Sequence, residues 1–199
     1  MTKNPNIRNG IKPYIICNPI GVDIIVKELQ NSFDKNLSWK NTSFNRAQTM
    51  TKFNTNGGEE VFPKLWVNDG NDEINALGLD RFSSYSFFHS PDSETLFGDY
   101  SISENRYERD LNIYFWFDLS KVDNSRSDDF RPELVQEIKQ VINKTFCNYG
   151  EFRISNVILN EPDIYKDFSI DITDKQSLYH PYRGVKFELE TIYYDVNCI

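Results

Sequence analysis

The 199-residue chain has few of the residues on which three common classes of protein depend. It contains two alanines, Ala47 and Ala76, against 15 Phe, 11 Tyr and 3 Trp. Alanine is the best helix former and aromatic residues favour strands, so the composition disfavours an all-helical bundle. The three cysteines, Cys17, Cys147 and Cys198, are odd in number and far apart. We therefore expect free thiols in a reducing compartment and no disulfide framework or zinc site.

Basic residues and long apolar runs are also scarce. Lys and Arg number 22 against 30 Asp and Glu, which gives a net charge of −8 at pH 7. Phosphate binding needs clustered Lys and Arg, so a basic nucleic-acid-binding domain is disfavoured. No apolar run approaches the roughly 18 residues of a transmembrane helix, and the first residues lack the apolar segment of a secretory signal. We expect no membrane partner and no export.

Motifs that carry chemistry are missing as well. His89 and His180 are the two histidines, and no HxH, HxxxH or CxxC spacing, glycine-rich phosphate loop or GxSxG motif occurs. The sequence predicts a protein that is not an enzyme and that uses no cofactor and no metal. One enzymatic alternative stays open, a small hydrolase whose site forms only in space. Its candidate residues are Asp118, His180, Glu188 and Glu190.

Two segments have the apolar spacing of an amphipathic helix. The first begins with Asn18 as N-cap and Pro19 as its first residue, and it ends near residues 33–36. The second has Pro132 in its first turn. The faces directed at the core consist of Val22, Ile25, Val26, Leu29 and Phe33 in the first helix and Leu134, Ile138, Val141, Ile142 and Thr145 in the second.

Six further segments have the composition and alternation of strands. Two of them, 46–53 and 59–67, flank the turn signal Asn54–Gly58 and predict a long, polar β-hairpin. The others are 83–88, 109–119, 152–159 and 184–196. Helices and strands do not alternate, which argues against a parallel sheet. We predict an α+β fold, with a mainly antiparallel sheet, two helices packed on one face and a long β-hairpin arm.

The domain organisation follows from length and from the position of turn residues. Residues 1–14 are polar and contain two prolines and a glycine, which predicts an N-terminal arm. Residues 15–199 are few enough for a single α+β domain. Turn signals concentrate between residues 68 and about 108, where we predict a loop-rich insertion in that domain.

The strand at 109–119 carries aromatic residues on a face opposite an already apolar one. Tyr114 and Trp116 alternate with Ile113, Phe115 and Phe117, so the two sets point to opposite sides. Such a strand either has a core on both sides or meets a partner, because aromatic residues are enriched at the centres of interfaces. The sequence leaves both interpretations open.

Four stretches together carry a resemblance to a known family: EVFPKLWVNDGND, YSFFHS, ERDLNIYFWFDLS with the following helix PELVQEIKQVINKTF, and HPYRGVKFELETIYYDV. In order and texture, they resemble the tail-terminator and neck-ring proteins of tailed bacteriophages, and in particular phage structural proteins from low-GC, Bacteroides-type hosts. The 21 asparagines and two alanines suit an AT-rich genome. Proteins of this family are small α+β subunits with two helices on a mainly antiparallel sheet and a long hairpin that reaches a neighbour.

The resemblance implies a non-enzymatic virion structural protein, assembled in the host cytoplasm. It would form a ring of six or twelve copies at the head–tail junction or tail top, as a tail terminator or neck connector. Its partners would be further copies of itself and other neck, tail or portal proteins. DNA would pass through the channel as non-specific cargo, because an acidic wall repels DNA and lets it slide. The expected interface residues are Asn54, Gly57, Phe62, Trp66, Tyr114, Trp116, Glu188 and Tyr194.

A second class of function competes with this one. A monomeric cytoplasmic binding module, such as an inhibitor, would also suit an acidic chain without catalytic motifs. The number of copies in the assembled protein separates the two hypotheses.

Overall fold

A computed structural model describes residues 11–14, 16–53, 58–77, 79, 82–91, 95–96, 106–169 and 180–194 of the chain. The helices are α1 (Val22–Asn36), α2 (Leu119–Val122), α3 (Arg131–Lys144) and α4 (Glu161–Ile164), and a 3-10 turn spans Asn68–Gly70. The strands are β1 (Thr42–Phe53), β2 (Glu59–Val67), β3 (Asp72–Asn75), β4 (Ser84–His89), β5 (Thr95–Leu96), β6 (Arg106–Asp118), β7 (Gly150–Ile158) and β8 (Tyr182–Tyr194). The predicted α+β fold is confirmed.

These eight strands of the described chain form one sheet. Its order is β3-β2-β1-β4-β6-β8-β7, and the short β5 pairs with β6. Every pairing is antiparallel except that of β1 with β4. The sheet is therefore mainly antiparallel, as predicted, but it is mixed. The parallel pair arises because the chain reverses through β2 and β3 before β4 returns to lie beside β1.

Strand β6 is buried on both faces of the sheet. All residues from Leu111 to Asp118 are buried. Side chains alternate along a strand, so Phe115 lies in one core while Tyr114 and Trp116 lie in another. The long strand that the alternation predicts is thus the boundary between two cores.

The first core lies between the sheet and the two long helices. Residues of α1 and α3 pack there against β6 and β8. The ring of Phe33 meets the ring of Phe115 edge-on, with 5.1 Å between centroids, and Phe187 lies 6.1 Å from the same ring. Both helices pack on one face of the sheet, as their apolar spacing predicts.

The second core covers the opposite face and is mostly aromatic. It joins residues of β4 and β6 to residues of the hairpin, the segment after β3 and the turn after α4. Phe87 and Tyr114 stack with centroids 4.8 Å apart. Trp116 stacks against Tyr85 and Tyr182, at 5.5 Å from each. Of the two interpretations left open by the sequence, the structure forms the two-sided core.

The predicted loop-rich insertion at 68–108 is wrong where the structure describes it. Strand β4 lies within that range, pairs with β1 and β6, and is buried at every residue. A strand in the middle of the sheet cannot belong to an insertion, because the sheet would be divided without it. The strand predicted at 83–88 is itself confirmed, within one residue at each end.

The predicted N-terminal arm also needs a correction at its inner end. Residues 1–10 lie outside the described part of the chain, but Ile11 is buried and Pro13 forms a bridge with Val67. The Asn68 amide donates to the Lys12 carbonyl at 2.9 Å. Residues 11–13 therefore belong to the body of the domain.

Helix α1 begins three residues later than its predicted start at Pro19. Its N-cap is Gly21, whose φ of 58° is a conformation that favours glycine. The ring of Tyr193 lies 3.3 Å from the position a Cβ would take there. Glycine at this position thus allows both the positive φ and the close approach of the ring. The prediction of Asn18 as the N-cap is wrong.

We predict that Phe115→Ala lowers the free energy of unfolding by about 3–5 kcal/mol, because it opens a cavity where three rings meet the centre of β6. Ile20→Ala, at an exposed apolar residue, is the control and should change it by no more than about 0.5 kcal/mol. Urea denaturation measures both. Equal effects of the two substitutions would contradict the assignment of Phe115 to the first core.

Candidate functional site

The interface residues that the sequence predicts are not brought together in one patch. Tyr114 is fully buried and Trp116 is 5% exposed. Both rings are engaged in the chain's own second core. They have no surface to offer a neighbouring subunit, so their prediction as interface residues is wrong.

The two predicted residues on β2 are half-buried and each lies beneath a lysine. The Nζ atom of Lys52 is 4.8 Å from the ring centroid of Phe62. The Nζ atom of Lys64 is 4.6 Å from the ring of Trp66 and 2.6 Å from a carboxylate oxygen of Glu73. Cation–π contacts of this kind hold each ring against its own hairpin. Asn54 and Gly57, which belong to the turn predicted from the sequence, lie outside the described residues.

The hairpin of β1 and β2 has an inner part that belongs to the sheet and an outer part that extends beyond it. Strand β1 pairs with β4 up to the partners Ala47 and His89, and it pairs with β2 from Gln48 to Phe53. We call the outer part, Met50–Phe53 with Gly58–Glu60, the arm tip. All of its residues except Met50 are exposed, and Phe53 exposes 73% of its surface.

Glu188 and Tyr194 both lie on β8, far from the arm tip. The carboxylate of Glu188 accepts from Asn156 Nδ2 at 3.1 Å and pairs with Lys186 at 3.0 Å. The hydroxyl of Tyr194 donates to Glu151 Oε1 at 3.4 Å. Both side chains are half-buried and engaged within the chain. The sheet order separates them from the arm by the strands β4 and β6.

The most unusual polar arrangement centres on Lys186, in the middle of β8. Its side chain is 2% exposed, and its Nζ atom lies 2.8 Å from Asp167 Oδ2 and 3.0 Å from Glu188 Oε1. The Tyr114 hydroxyl donates to the same Asp167 oxygen at 3.0 Å. The ammonium also sits 5.5 Å from the centroid of the Tyr114 ring. We call these four residues the Lys186 cluster.

The electrostatics of the Lys186 cluster follow from burial and from the ammonium. Burial favours the neutral form of Asp167, but the hydrogen bond and charge of Lys186 outweigh it and hold the pKa of Asp167 below its ordinary value. For Glu188, the hydrogen bonds from Lys186 and Asn156 likewise outweigh burial and lower the pKa. Burial, followed by the Asp167 charge, raises the pKa of Tyr114. The cluster is thus an ionised tie between β8 and the turn after α4.

The chemistry of the Lys186 cluster indicates a structural role. The ammonium of Lys186 donates to two carboxylates, so it offers no lone pair to an electrophile. The Tyr114 hydroxyl, which is held protonated, cannot serve as a base at neutral pH. Sequence reasoning missed the cluster because Lys186 alternates with apolar residues on β8, which is also the pattern of a solvent-facing lysine. A signal was present in the sequence, since Lys186 shares its strand face with Glu188 and a fully apolar core would not accept that pair.

The residues of the hydrolase alternative are far apart. In the ladder between β6 and β8, Asp118 lies opposite Tyr182. Glu188 lies opposite Asn112, which is six residues before Asp118 on β6. That offset corresponds to about 20 Å along the strand. His180 lies at the Asp118 end, and the Asp118 carboxylate is already engaged by Ser120 and Lys121. Glu190, at the other end, pairs with Arg153. These four residues therefore do not form one site.

Among the described residues, no group of three or more His, Cys, Asp or Glu side chains could hold a metal ion. The described helices also include none that is long and apolar enough to cross a membrane. In comparisons with known proteins, no protein-family model and no curated protein matches this chain.

We predict that Lys186→Met lowers the free energy of unfolding at pH 7 by about 1–3 kcal/mol, because two carboxylates lose their hydrogen-bonded cation and the Tyr114 ring loses its cation–π contact. The pKa values of Asp167 and Glu188 lie below their ordinary values. Their contribution to stability is therefore complete above about pH 5 and is lost as the pH falls through the lowered values. Urea midpoints measured between pH 7 and pH 3 should fall less steeply in the variant than in the wild type.

The control for this experiment is Lys35→Met, which removes an exposed lysine at the end of α1. It should keep the wild-type pH dependence. Parallel pH curves for wild type and Lys186→Met would contradict the ionised tie.

Proposed function

We propose that this protein is a non-enzymatic structural subunit that assembles with copies of itself into a ring. We propose further that the ring belongs to the head–tail junction or tail top of a tailed bacteriophage, as a tail terminator or neck protein. The hairpin supports the first part, and the resemblance in element order supports the second. In the virion, the ring would join other neck, tail or portal proteins and surround the DNA channel.

The single observation that carries the proposal is the arm tip. Strand β1 continues for six residues past its last partner on β4, in a hairpin with β2. A two-stranded hairpin is marginally stable alone, and this one presents the exposed ring of Phe53 to solvent. An extension of this kind gains stability when it packs against a second surface. Since it projects from one side of the domain, the contact suits a heterologous, ring-forming interface.

We predict that the full chain associates into a species of six or twelve times its 23.4 kDa mass as its concentration rises. Native mass spectrometry and sedimentation velocity measure the copy number, and negative-stain images show whether the particle is a closed ring. A single copy at every concentration would contradict the ring and support the monomeric binding module instead.

A matched variant tests the role of the arm in the same experiment. Replacing residues 52–60 by Asn-Gly, the preferred two-residue hairpin turn, keeps the pair Thr51 and Val61 and removes the part of the arm tip beyond that pair, which includes Phe53, Glu59 and Glu60. The Ser169 amide and hydroxyl, which bond Val61, are retained. This variant should keep the circular dichroism spectrum of the wild type and lose its higher-order species. Normal assembly of the shortened chain would contradict the proposal that the arm forms the contact between copies.

We predict that the channel of the assembled ring is negatively charged, because the chain carries a net charge of −8. An acidic wall repels DNA and allows it to slide without being gripped. An electron-microscopy reconstruction of the ring, with side chains placed, measures the sign of the lumen. A lumen lined by Lys and Arg would contradict the proposal that DNA slides through an acidic channel.

A further inference from the structure

We propose that the outer edge of β7, with the groove between β7 and α3, receives the arm tip of a second copy of this chain. This inference rests on the proposed self-assembly and names the surface to which the arm binds. It concerns a part of the molecule that neither the interface residues expected from the sequence nor the Lys186 cluster includes.

The first observation is that β7 ends the sheet. In the described part of the chain, it pairs with β8 and with no other strand. The opposite end of the sheet is β3, which spans four residues, two of them the acidic Asp72 and Glu73. A short, charged edge strand resists pairing with another chain, whereas β7 offers a row of backbone donors and acceptors over its regular part, Gly150–Ile154. Strand addition is thus possible at β7.

The second observation is a groove of about 580 Å³ beside this edge. Ile142 and Asn143 of α3 line one wall, and Phe152, Ile154 and Val157 of β7 line the other. These three β7 side chains are half-buried, so their wall of the groove is apolar. A strand added to β7 could place alternate side chains into this groove, as in other cases of strand addition.

The third observation is where the exposed apolar side chains lie. The described residues include five large apolar side chains that are exposed, and three of them flank β7. Phe146 and Tyr149 precede the strand and are 77% and 51% exposed, while Leu159 follows it. A fourth is Phe53, on the arm tip. Exposed apolar groups gather where a partner will cover them, and here they mark the two surfaces that the proposal joins.

Charge selects the arm tip as the occupant. The charged residues that line the groove are Lys139 and Arg153, both basic. The arm tip carries the exposed pair Glu59 and Glu60 against the single Lys52. In an overall acidic chain, a basic groove is a local exception, and an acidic hairpin is its complement. Arg153 pairs with Glu190 on its own sheet and is exposed enough to contact a second carboxylate.

Sheet order makes the contact intermolecular. The strands β4, β6 and β8 lie between β1 and β7, which places the two sites about 19 Å apart across the sheet at a strand spacing near 4.8 Å. The arm continues β1 on one side of these three strands, and the groove borders β7 on the other side. A surface that meets a different surface on the next copy generates a ring when the rotation closes.

A charge exchange tests the proposal. Variant A carries Glu59→Lys and Glu60→Lys on the arm tip, and variant B carries Lys139→Glu and Arg153→Glu in the groove. Each variant alone opposes like charges across every contact, so each should sediment as a monomer. An equimolar mixture pairs the basic arm of A with the acidic groove of B, and the acidic arm of B with the basic groove of A. The mixture should recover the wild-type assembly, with A and B in equal numbers.

The control for net charge is Lys27→Glu with Lys35→Glu, which makes the same change as variant B on helix α1, away from the groove. It should assemble as the wild type does. Isotope-labelled and unlabelled wild-type chains, mixed and treated with an amine cross-linker, should give links between Lys52 and Lys139 that join two different copies.

The outcomes separate the two proposals. Rings in the wild type together with rings in A alone and B alone would overturn the β7 groove as the acceptor and leave the ring function standing. Failure of the A and B mixture to reassemble, or cross-links confined to single copies, would overturn it equally. A wild-type chain that stays monomeric at all concentrations would overturn both the function and this contact.

Discussion

The antiparallel ladder between β6 and β8 is the constraint on which the rest of the structure depends. The two strands pair along all thirteen residues, from Arg106 with Tyr194 to Asp118 with Tyr182. Because β6 is apolar on both faces, each face needs a cover, and the chain supplies two different ones. Helices α1 and α3 cover the first, and the aromatic layer below the hairpin covers the second. The hairpin thus begins as part of a core before it continues into solvent.

The Lys186 cluster follows from that double burial. Strand β8 has the same two faces as β6, but its second face carries Lys186 opposite Tyr114 and Glu188 opposite Asn112. A lysine buried there without a partner would cost several kcal/mol. Asp167, on the turn after α4, supplies the second carboxylate, and Tyr114 supplies a ring face and a hydroxyl. The ion pairs therefore join the end of the second core to the centre of the sheet.

Much of the fold could be predicted from the sequence because it depends on local periodicity. The alternation of Leu111 to Phe117 identified β6 and its two faces, and apolar spacing identified both long helices. The parallel pairing of β1 with β4 could not be predicted, since it depends on where a strand returns after two reversals. The interface residues show the same limit. The sequence placed Tyr114 and Trp116 on the second face, but whether that face meets solvent, a partner or the chain itself is decided by residues elsewhere in the sequence, such as Tyr85 and Phe168.

The two edges of the sheet differ in a way that bears on assembly. A mainly antiparallel sheet has two edges, and unprotected ones lead to uncontrolled association. Here β3 is short and acidic, and the distal half of β7 is interrupted by a register shift between Ile154 and Asn156. What stays regular is the first half of β7, Gly150–Ile154, with the exposed rings of Phe146 and Tyr149 before it. An edge that is regular over five residues can accept one short strand, and the arm tip has four residues on its β1 side and three on its β2 side. The register shift would then limit how far along β7 the added strand pairs, whereas closure into a ring depends on the rotation between successive copies.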